Sequence, residues 1–335
     1  MTIPERGYQK AGRNELIIPT NLASPVISLH PVKKIEIKVT QPFNFLYTLW
    51  KPSHFYTGLE VHSGKYSWRT FRLSQELFSA AKMSYSDSTF VVEIFANNNL
   101  SNEIFAQLCT HIVHSYGLDE PYDVPEADFS KHEYVRGFFE KLKGTRISCP
   151  ENIFEISIVS LLLQNTNISR TTSMFKNLVE SYGCLVTFDD IVLYSFFSPE
   201  DILAVSEDEL KQKCRLGYRA KYIKNYADFF SRNKEAKLRE LSRESLLSLL
   251  ETIKGVGPYT SNVVASHALR DTEAIPFDSW NRKILALRLY NLDSSDTAQL
   301  KKRIISDFGK YSGLIAMYII ENEHIDAPVV PLLSL

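Results

Sequence analysis

The residues best suited to chemistry are a glycine-containing turn and an aspartate a short distance after it. Gly255, Val256 and Gly257 separate two helical patterns, and Pro258 stands where it favours the first turn of the second helix. Two glycines in three residues allow positive φ angles and keep side chains away from the backbone. The N–H groups that open the second helix would then donate to a phosphate oxygen. The pattern predicts a helix–hairpin–helix that holds a nucleic-acid backbone, and its alternative is a plain glycine cap between two helices.

Asp278 opens the next helical pattern after this turn, and it follows a short loop that contains Pro276. A carboxylate at the N-terminus of a helix is stabilised in its ionised form. Such a carboxylate would be a fixed negative charge that points away from the helix. The position therefore suits a catalytic carboxylate, and the alternative interpretation is an aspartate that only caps its helix.

The elements that must position these residues fall into two parts. Residues 35–97 contain alternating and aromatic-rich segments with a turn at Ser63-Gly64, which predict an antiparallel sheet. From Ser101 the apolar residues recur with a helical period, and the acidic, proline-containing stretch after that helix reads as a linker. Beyond the linker almost nothing is typical of a strand. The expected N-caps there are Asn152, Ser198, Ser206 and Ser242.

The order of these patterns predicts an α+β N-terminal antiparallel-sheet domain, followed by an all-α helical domain with a helix–hairpin–helix. The expected boundaries are an N-terminal arm (1–34), the α+β domain (35–117), a linker (118–130), the helical domain (131–325) and a C-terminal tail (326–335). Nothing in the patterning requires more than a monomer.

The composition limits the classes of protein to consider. The chain has 335 residues and a formal net charge of −1, which excludes a polybasic, histone-like protein but allows a local basic face. No apolar run of roughly 18 residues and no secretory signal is present, so we expect an intracellular protein that does not enter a membrane. The four cysteines are widely spaced, so we expect no zinc or iron–sulfur site and no cofactor.

These features together resemble a known family. The hairpin, the loop AIPFD and Asp278 resemble the helix–hairpin–helix, Gly/Pro-rich loop and Asp signature of the HhH-GPD DNA glycosylase superfamily. LLLQNTNISRT (161–171), LGYRAKYIKNYADFF (216–230) and FGKYSGLIAMYIIEN (308–322) resemble segments of its 8-oxoguanine and 3-methyladenine glycosylase II branch. QPFNFLYTLWKPSHF (41–55) is similar, more loosely, to the start of its sheet domain. The resemblance extends over about 36–325 and implies the HhH-GPD glycosylase fold.

The resemblance also implies chemistry. It makes Asp278 the residue that stabilises the oxocarbenium-like state and orients or deprotonates water. Family members that also cut the DNA backbone carry a lysine two residues after the second glycine, where this chain has Tyr259. Because a tyrosine cannot form a Schiff base, the resemblance implies a glycosylase without lyase activity. Lys254, before the hairpin, is interpreted as a phosphate contact or as a solvated surface lysine.

A base that is turned out of the duplex needs a pocket. Tyr259, Trp280 and Ser279 are the pocket candidates, and the aromatic faces would attract a cationic alkylated purine. Their alternative is ordinary packing in the core or at the surface. Phe43 and Trp50 are weighed as well, and for these two the core is favoured.

The remaining candidates would contact DNA around the vacated position. By resemblance, Gln164 and Asn165 fill the gap in the stack, Tyr218 wedges beside them, and Arg219 and Arg170 face the unpaired partner base. Each has an alternative as a surface or helix-capping residue. Six basic residues between 211 and 224, here called the basic run, would follow DNA phosphates, although such runs are usually just solvated.

The sequence thus predicts a monofunctional DNA glycosylase of base-excision repair whose partner is double-stranded DNA with a damaged base. Tyr259 favours an alkylated purine of the 3-methyladenine type. The LGYRA and QNTN segments are nearer to the 8-oxoguanine side, which keeps an oxidised purine or a mismatched base open. The alternative from another class is a non-catalytic DNA-binding protein that kept the hairpin. The expected location is the cytoplasm, at the nucleoid, in a prokaryote and the nucleus in a eukaryote.

Overall fold

The computed structural model describes residues 26–130, 132–275, 277–292 and 296–326. Most of the expected N-terminal arm, Pro276 and nearly all of the expected C-terminal tail therefore lie outside the described residues. Strands already occupy the last part of the segment expected as an arm, because β1 covers Val26–Ser28 and β2 covers His30–Lys38.

The N-terminal part is built on a five-stranded antiparallel sheet. Its other strands are β3 (Glu60–His62), β4 (Tyr66–Arg72), β5 (Phe78–Ser86) and β6 (Thr89–Ala96), and the strand order is β2-β6-β5-β4-β3. The helices of this part are α1 (Phe45–Leu49) and α2 (Asn102–Tyr116). Alternate residues of β6, such as Phe90 and Val92, are buried in the core that the sheet shares with α2. The predicted antiparallel α+β architecture is confirmed, including the turn at Ser63-Gly64 between β3 and β4.

A second, smaller sheet interrupts the helical part. It consists of β1, β7 (Cys184–Phe188) and β8 (Ile191–Ser195), with β1 parallel to β7. The β7–β8 turn uses Asp189 and Asp190, both at positive φ, and the Trp68 indole Nε1 donates to Asp189 Oδ2 at 2.7 Å. This hairpin packs on the N-terminal sheet and is the exception to the expectation that the second part is all helical.

The rest of the described chain is helical, as predicted. The helices are α3 (Glu126–Phe129), α4 (Glu133–Leu142), α5 (Ile153–Leu163), α6 (Ile168–Tyr182), α7 (Pro199–Leu203), α8 (Glu207–Cys214), α9 (Arg219–Arg232), α10 (Glu235–Arg239), α11 (Arg243–Leu250), α12 (Pro258–Ala268), α13 (Ser279–Tyr290), α14 (Thr297–Phe308) and α15 (Ser312–Ile325). All four expected N-caps are confirmed, since each side chain accepts a hydrogen bond from a first-turn N–H. None of the helices in the described ranges is long and apolar enough to cross a membrane.

Two apolar cores divide this helical part. One core holds side chains of α5, α6, α8, α9, α11 and α12, and the other holds side chains of α4, α13, α14 and α15. The connection from α12 to α13 leaves the first core at Leu269 and enters the second at Ile275. The glycine turn therefore belongs to one core, whereas Asp278 begins a helix of the other.

Candidate active site and nucleic-acid interface

The turn before α12 has the geometry of a helix–hairpin–helix. Gly255 has a φ of +106°, and a Cβ at this position would overlap the ring of Tyr222. Only glycine fits both constraints. Val256 donates its N–H to Ile253 O at 2.9 Å and packs against the first helical core, which fixes the turn from below.

Gly257 differs from Gly255 because nothing in the described protein requires a glycine there. Its φ is −110°, and a Cβ would meet no atom within 4 Å. It is the N-cap of α12 and has no side-chain cap, so the first N–H groups of α12 lack intrahelical partners. Lys254 is exposed beside it, and its carbonyl accepts from Asn225 Nδ2 at 2.9 Å. The surface at Gly257 thus carries backbone N–H groups without intrahelical partners and the exposed side chain of Lys254.

Asp278 is the N-cap of α13. Its Oδ1 accepts from the N–H groups of Trp280 and Asn281, each at 2.7 Å, so the carboxylate has a fixed orientation. The side chain is half-buried at the N-terminal end of α13. Asp278 therefore caps its helix, and a capping bond is compatible with a catalytic charge at the same carboxylate.

The pocket candidates lie on both sides of the boundary between the cores. Tyr259 is 46% exposed in the first turn of α12, and Ser279 is exposed at the start of α13. Trp280 is half-buried, packs on the second core and has its ring centroid 5.0 Å from that of His324. Phe43 is buried in the sheet core against Tyr85 and Phe90, as favoured from the sequence.

The turn between α5 and α6 is bound directly to the hairpin helix. Gln164 caps α5, and its Nε2 donates to Thr260 Oγ1 at 2.7 Å, one residue after Tyr259. Asn165 is exposed with a φ of +48°. The structure therefore brings Gln164 to the first turn of α12 and leaves the adjacent Asn165 exposed.

Tyr218 and Arg219 have different environments although they are adjacent in sequence. Tyr218 is 49% exposed, and its ring packs edge-on against Tyr222, the residue that covers Gly255. Arg219 is 3% exposed and donates to the carbonyls of Leu161 and Gln164 at the end of α5. The expectation that Arg219 faces a DNA base is therefore wrong. Its guanidinium lies 4.7 Å from the Tyr218 ring centroid and supports that ring from inside the protein.

Most of the basic run is also engaged within the protein. Lys211 pairs with Glu207 and Lys213 with Glu209, each at 2.7 Å and one turn upstream in α8. Lys224 donates to three carbonyls at the end of α7. Within the described ranges, only Arg215 and Lys221 are exposed members of the run for which no ion pair is seen. DNA contact by the run stays a prediction, and these two residues are its exposed members without a competing ion pair within the described ranges.

Arg215 and Arg170 line a common groove between α6 and α8. The groove has a volume of about 810 Å³, and the other basic residues along it are Lys176 and Lys213, with Glu180 as its acid. Asn167, Ser169 and Ser173 add polar groups. Because cations and hydroxyl or amide groups are the usual phosphate contacts, the groove is a surface suited to a nucleic-acid backbone.

Sequence reasoning missed a loop of the sheet domain that reaches the second core. Ser53 donates its N–H to Glu321 Oε2 at 3.0 Å and its hydroxyl to Glu321 Oε1 at 2.7 Å, three residues before His324. Lys51 is buried and donates to the carbonyls of Tyr47 and Arg146. Burial lowers the pKa of Lys51 to about 8, although Glu321 opposes this shift. No periodicity marks this loop, because its contacts are with residues far away in sequence.

The architecture defines a class of protein: a helical part split into two cores, with a glycine hairpin on one core and an acidic N-cap on the other, preceded by an antiparallel sheet. Residues 158–310 match the model of the HhH-GPD superfamily base excision DNA repair protein. This match confirms the resemblance to the HhH-GPD superfamily found in the sequence.

Relatives and solved structures agree with this assignment. A probable N-glycosylase/DNA lyase of Methanothermobacter thermautotrophicus is 23% identical over 51% of this chain and 61% of its own. The N-glycosylase/DNA lyase OGG1 of Arabidopsis thaliana is 29% identical over 56% of this chain and 54% of its own. The chain thus spans less than two thirds of the length of these relatives. A 3-methyladenine DNA-glycosylase structure from Archaeoglobus fulgidus shares the fold, with a TM-score of 0.70, 21% identity and coverage of 88% of this chain and 99% of that one.

Proposed function

We propose that this protein is a monofunctional DNA glycosylase of base-excision repair. The observation that carries the proposal is Asp278, an oriented helix-capping carboxylate at the boundary between two helical cores. It follows a hairpin in which Gly257 faces open space. Its partner would be double-stranded DNA with one damaged base, bound by a monomer at the nucleoid or in the nucleus. The match of residues 158–310 to a base excision DNA repair family supports the same activity.

In the proposed mechanism, Asp278 acts through its charge. As the bond between C1′ and the base nitrogen lengthens, positive charge develops on the sugar, and the carboxylate stabilises it. The bonding electron pair leaves with the base. Water adds to C1′, and its proton passes to the carboxylate. Because the N–H groups of Trp280 and Asn281 fix the carboxylate beforehand, no reorganisation is needed during the reaction.

Tyr259 supports hydrolysis rather than strand cleavage. It occupies the position that the resemblance assigns to a Schiff-base lysine, and it is 46% exposed in the first turn of α12. A phenol cannot form an imine with C1′. The names of the two relatives include lyase activity, so this part of the proposal needs its own test.

We propose an alkylated purine of the 3-methyladenine type as the substrate. An alkylated purine is cationic and leaves as a neutral base, so it needs no acid to protonate it. The exposed ring of Tyr259 and the Trp280 ring beside His324 offer electron-rich faces for such a cation. The second candidate is an oxidised purine, which the similarity to the Arabidopsis OGG1 protein favours.

The decisive experiment uses duplexes that each carry one lesion. The full chain is incubated with 3-methyladenine-type, 8-oxoguanine and mismatched duplexes, and alkali then reveals abasic sites. We expect abasic sites from the alkylated duplex and no strand cleavage before alkali. Cleavage without alkali, together with a complex trapped by borohydride, would contradict the monofunctional assignment. Tight binding without release of any base would support the non-catalytic alternative.

A matched pair of variants tests the role of Asp278. Asp278→Asn keeps a good N-cap but removes the charge, so we expect intact folding and DNA binding with base release slower by roughly 10²–10³-fold or more. Asp296 is the control because it caps α14 in the same way, with Oδ1 accepting from Gln299 N–H at 2.9 Å. Asp296→Asn should retain full activity. Full activity in Asp278→Asn would remove the mechanism.

A further inference from the structure

A junction away from the hairpin contains buried cations without enough counter-charge. It surrounds a cavity of about 280 Å³ where the linker after α2, the segment after α4, the end of α12 and the start of α15 meet. The polar side chains along it are Glu120, Asp123, Thr145, Arg146, Arg270, Thr272, Lys310 and Tyr311. The proposed function uses none of them.

Arg146 is the first buried cation of this cavity. It is 6% exposed, and its guanidinium stacks 5.1 Å from the Tyr122 ring centroid. One terminal nitrogen makes long hydrogen bonds to the carbonyls of Thr40 and Glu120, at 3.3 and 3.4 Å. Over the described residues, its Nε has no hydrogen-bond partner, and no carboxylate forms an ion pair with it.

Arg270 and Thr145 add further unsatisfied donors. Arg270 is 6% exposed and pairs with Glu120, yet its Nε and one terminal nitrogen have no partner among the described residues. Burial lowers the pKa of Arg270 to about 10, which still leaves it cationic at neutral pH. The Thr145 hydroxyl is 1% exposed and is likewise unsatisfied within the described part of the chain.

The charges around the cavity do not balance. Glu120 neutralises Arg270, and Asp123 is engaged by Lys310 at 2.8 Å on the outside, which leaves Arg146 without a partner. An arginine cannot shed its proton in a protein, and an uncompensated buried charge is strongly destabilising. Water could satisfy a hydroxyl group, but it cannot supply the missing negative charge. A small anion in the cavity would supply that charge.

We propose that this cavity binds a phosphate group, held by Arg146, Arg270 and Thr145. Planar guanidinium groups match the oxygen geometry of phosphate, and the hydroxyl supplies a further donor. The volume admits the ion with a few waters and lies below the range of sites for drug-sized ligands. The bound ion connects the linker to the connection that runs from Arg270 towards Asp278, so it stabilises the join between the sheet domain and both helical cores.

The test is thermal unfolding of the full chain in increasing inorganic phosphate, with pH and ionic strength held constant by sodium chloride. We expect the Tm to rise with the logarithm of the phosphate concentration, whereas chloride alone has no such effect. An equal Tm in phosphate and chloride would overturn the proposal.

Two variants place the effect at this cavity. Arg146→Met should abolish the phosphate-dependent rise while its Tm without phosphate equals or exceeds that of the original protein, because an unpaired buried charge is gone. Thr145→Val should weaken phosphate binding at least tenfold with no loss of Tm without phosphate, since its hydroxyl has no partner to lose. If Arg146→Met fails to fold, Thr145→Val alone decides. A full phosphate effect in Thr145→Val, or in a folded Arg146→Met, would overturn the assignment.

A third arm identifies the source of the phosphate. If a DNA phosphate occupies the cavity, saturation with an undamaged duplex should remove the phosphate-dependent rise, and Arg146→Met should lower the salt slope of DNA binding by about 0.9. If free phosphate is the ligand, both quantities should stay unchanged. Neither result depends on base release, so the site and the proposed glycosylase activity can fail separately.

Discussion

The hairpin at 255–257 and the basic run at 211–224 both suggested DNA contact from sequence, yet the structure treats them differently. The hairpin leaves open space at Gly257, whereas Gly255 is covered by Tyr222 and Val256 packs against the first helical core. Most residues of the basic run form ion pairs or hydrogen bonds within the protein, and one of them, Arg219, is only 3% exposed.

This difference shows which sequence signals report a surface. A glycine selected by a positive φ fixes the backbone path, and that path is local. A lysine or arginine in the sequence indicates only a positive charge. Its partner is either an acidic residue one helical turn away or a group that tertiary packing brings close. Backbone constraints at the hairpin therefore predicted the local structure better than the density of charge predicted an available cationic surface.

The largest effect that sharpens this comparison is expected from Gly255→Ala. The variant forces a side chain into positive φ and into the Tyr222 ring, so we expect a loss of about 2–4 kcal/mol in the free energy of unfolding. Urea unfolding measures it. Gly64→Ala is the control, because a Cβ at Gly64 meets nothing within 4 Å, and it should leave stability nearly unchanged. Equal stability of both variants would contradict the close packing of the hairpin.

Arg219→Met is expected to have the next largest effect. It removes the donors that satisfy the Leu161 and Gln164 carbonyls, so we expect a loss of about 2–3 kcal/mol in stability. The salt slope of DNA binding should not change, because the guanidinium is buried. A normal stability with a reduced salt slope would instead restore the DNA contact expected from the sequence.

Gly257→Ala separates binding from folding. Its methyl group enters open space, so the stability cost should stay within about 1 kcal/mol, the scale of a poorer N-cap. If the DNA backbone approaches the hairpin, we expect roughly tenfold weaker binding of an undamaged duplex, since one lost close contact corresponds to about 1.4 kcal/mol. An unchanged affinity would show that DNA does not approach the turn at this glycine.

The sequence was informative where structure is local. Helix N-caps such as Asn152 and the sheet hairpin at Ser63-Gly64 depend on neighbouring residues, and they were predicted. The β7–β8 hairpin was missed although Asp189-Asp190 between two β-branched stretches is itself a turn signal. Its parallel partner β1 could not be predicted, because Val26 pairs with Leu185 across more than half of the described chain.

The candidate site follows the same division. Asp278 as a helix cap and the turn at Gly255 follow from local pattern, and the structure has both. The burial of Arg219 and the hydrogen bond from Ser53 to Glu321 both depend on how distant elements pack. The sequence therefore predicted an exposed Arg219, which is wrong, and it gave no sign of the contact between Ser53 and Glu321. The catalytic, pocket and DNA-contact roles of the remaining candidates stay predictions for the experiments above.

The smallest expected effect tests the groove between α6 and α8. Arg215→Asn removes an exposed charge but suits the left-handed φ of +55° at this residue, so stability should change by no more than about 0.5 kcal/mol. If the groove holds a DNA strand, the salt slope of binding should fall by about 0.9, as for one lost phosphate contact. Lys213→Gln is the matched control in the same groove. Because Glu209 already pairs with Lys213, removing the Lys213 charge should change the salt slope less than Arg215→Asn does. Equal slopes for the two variants would mean that ion pairing within α8 does not decide which cations of this groove contact DNA.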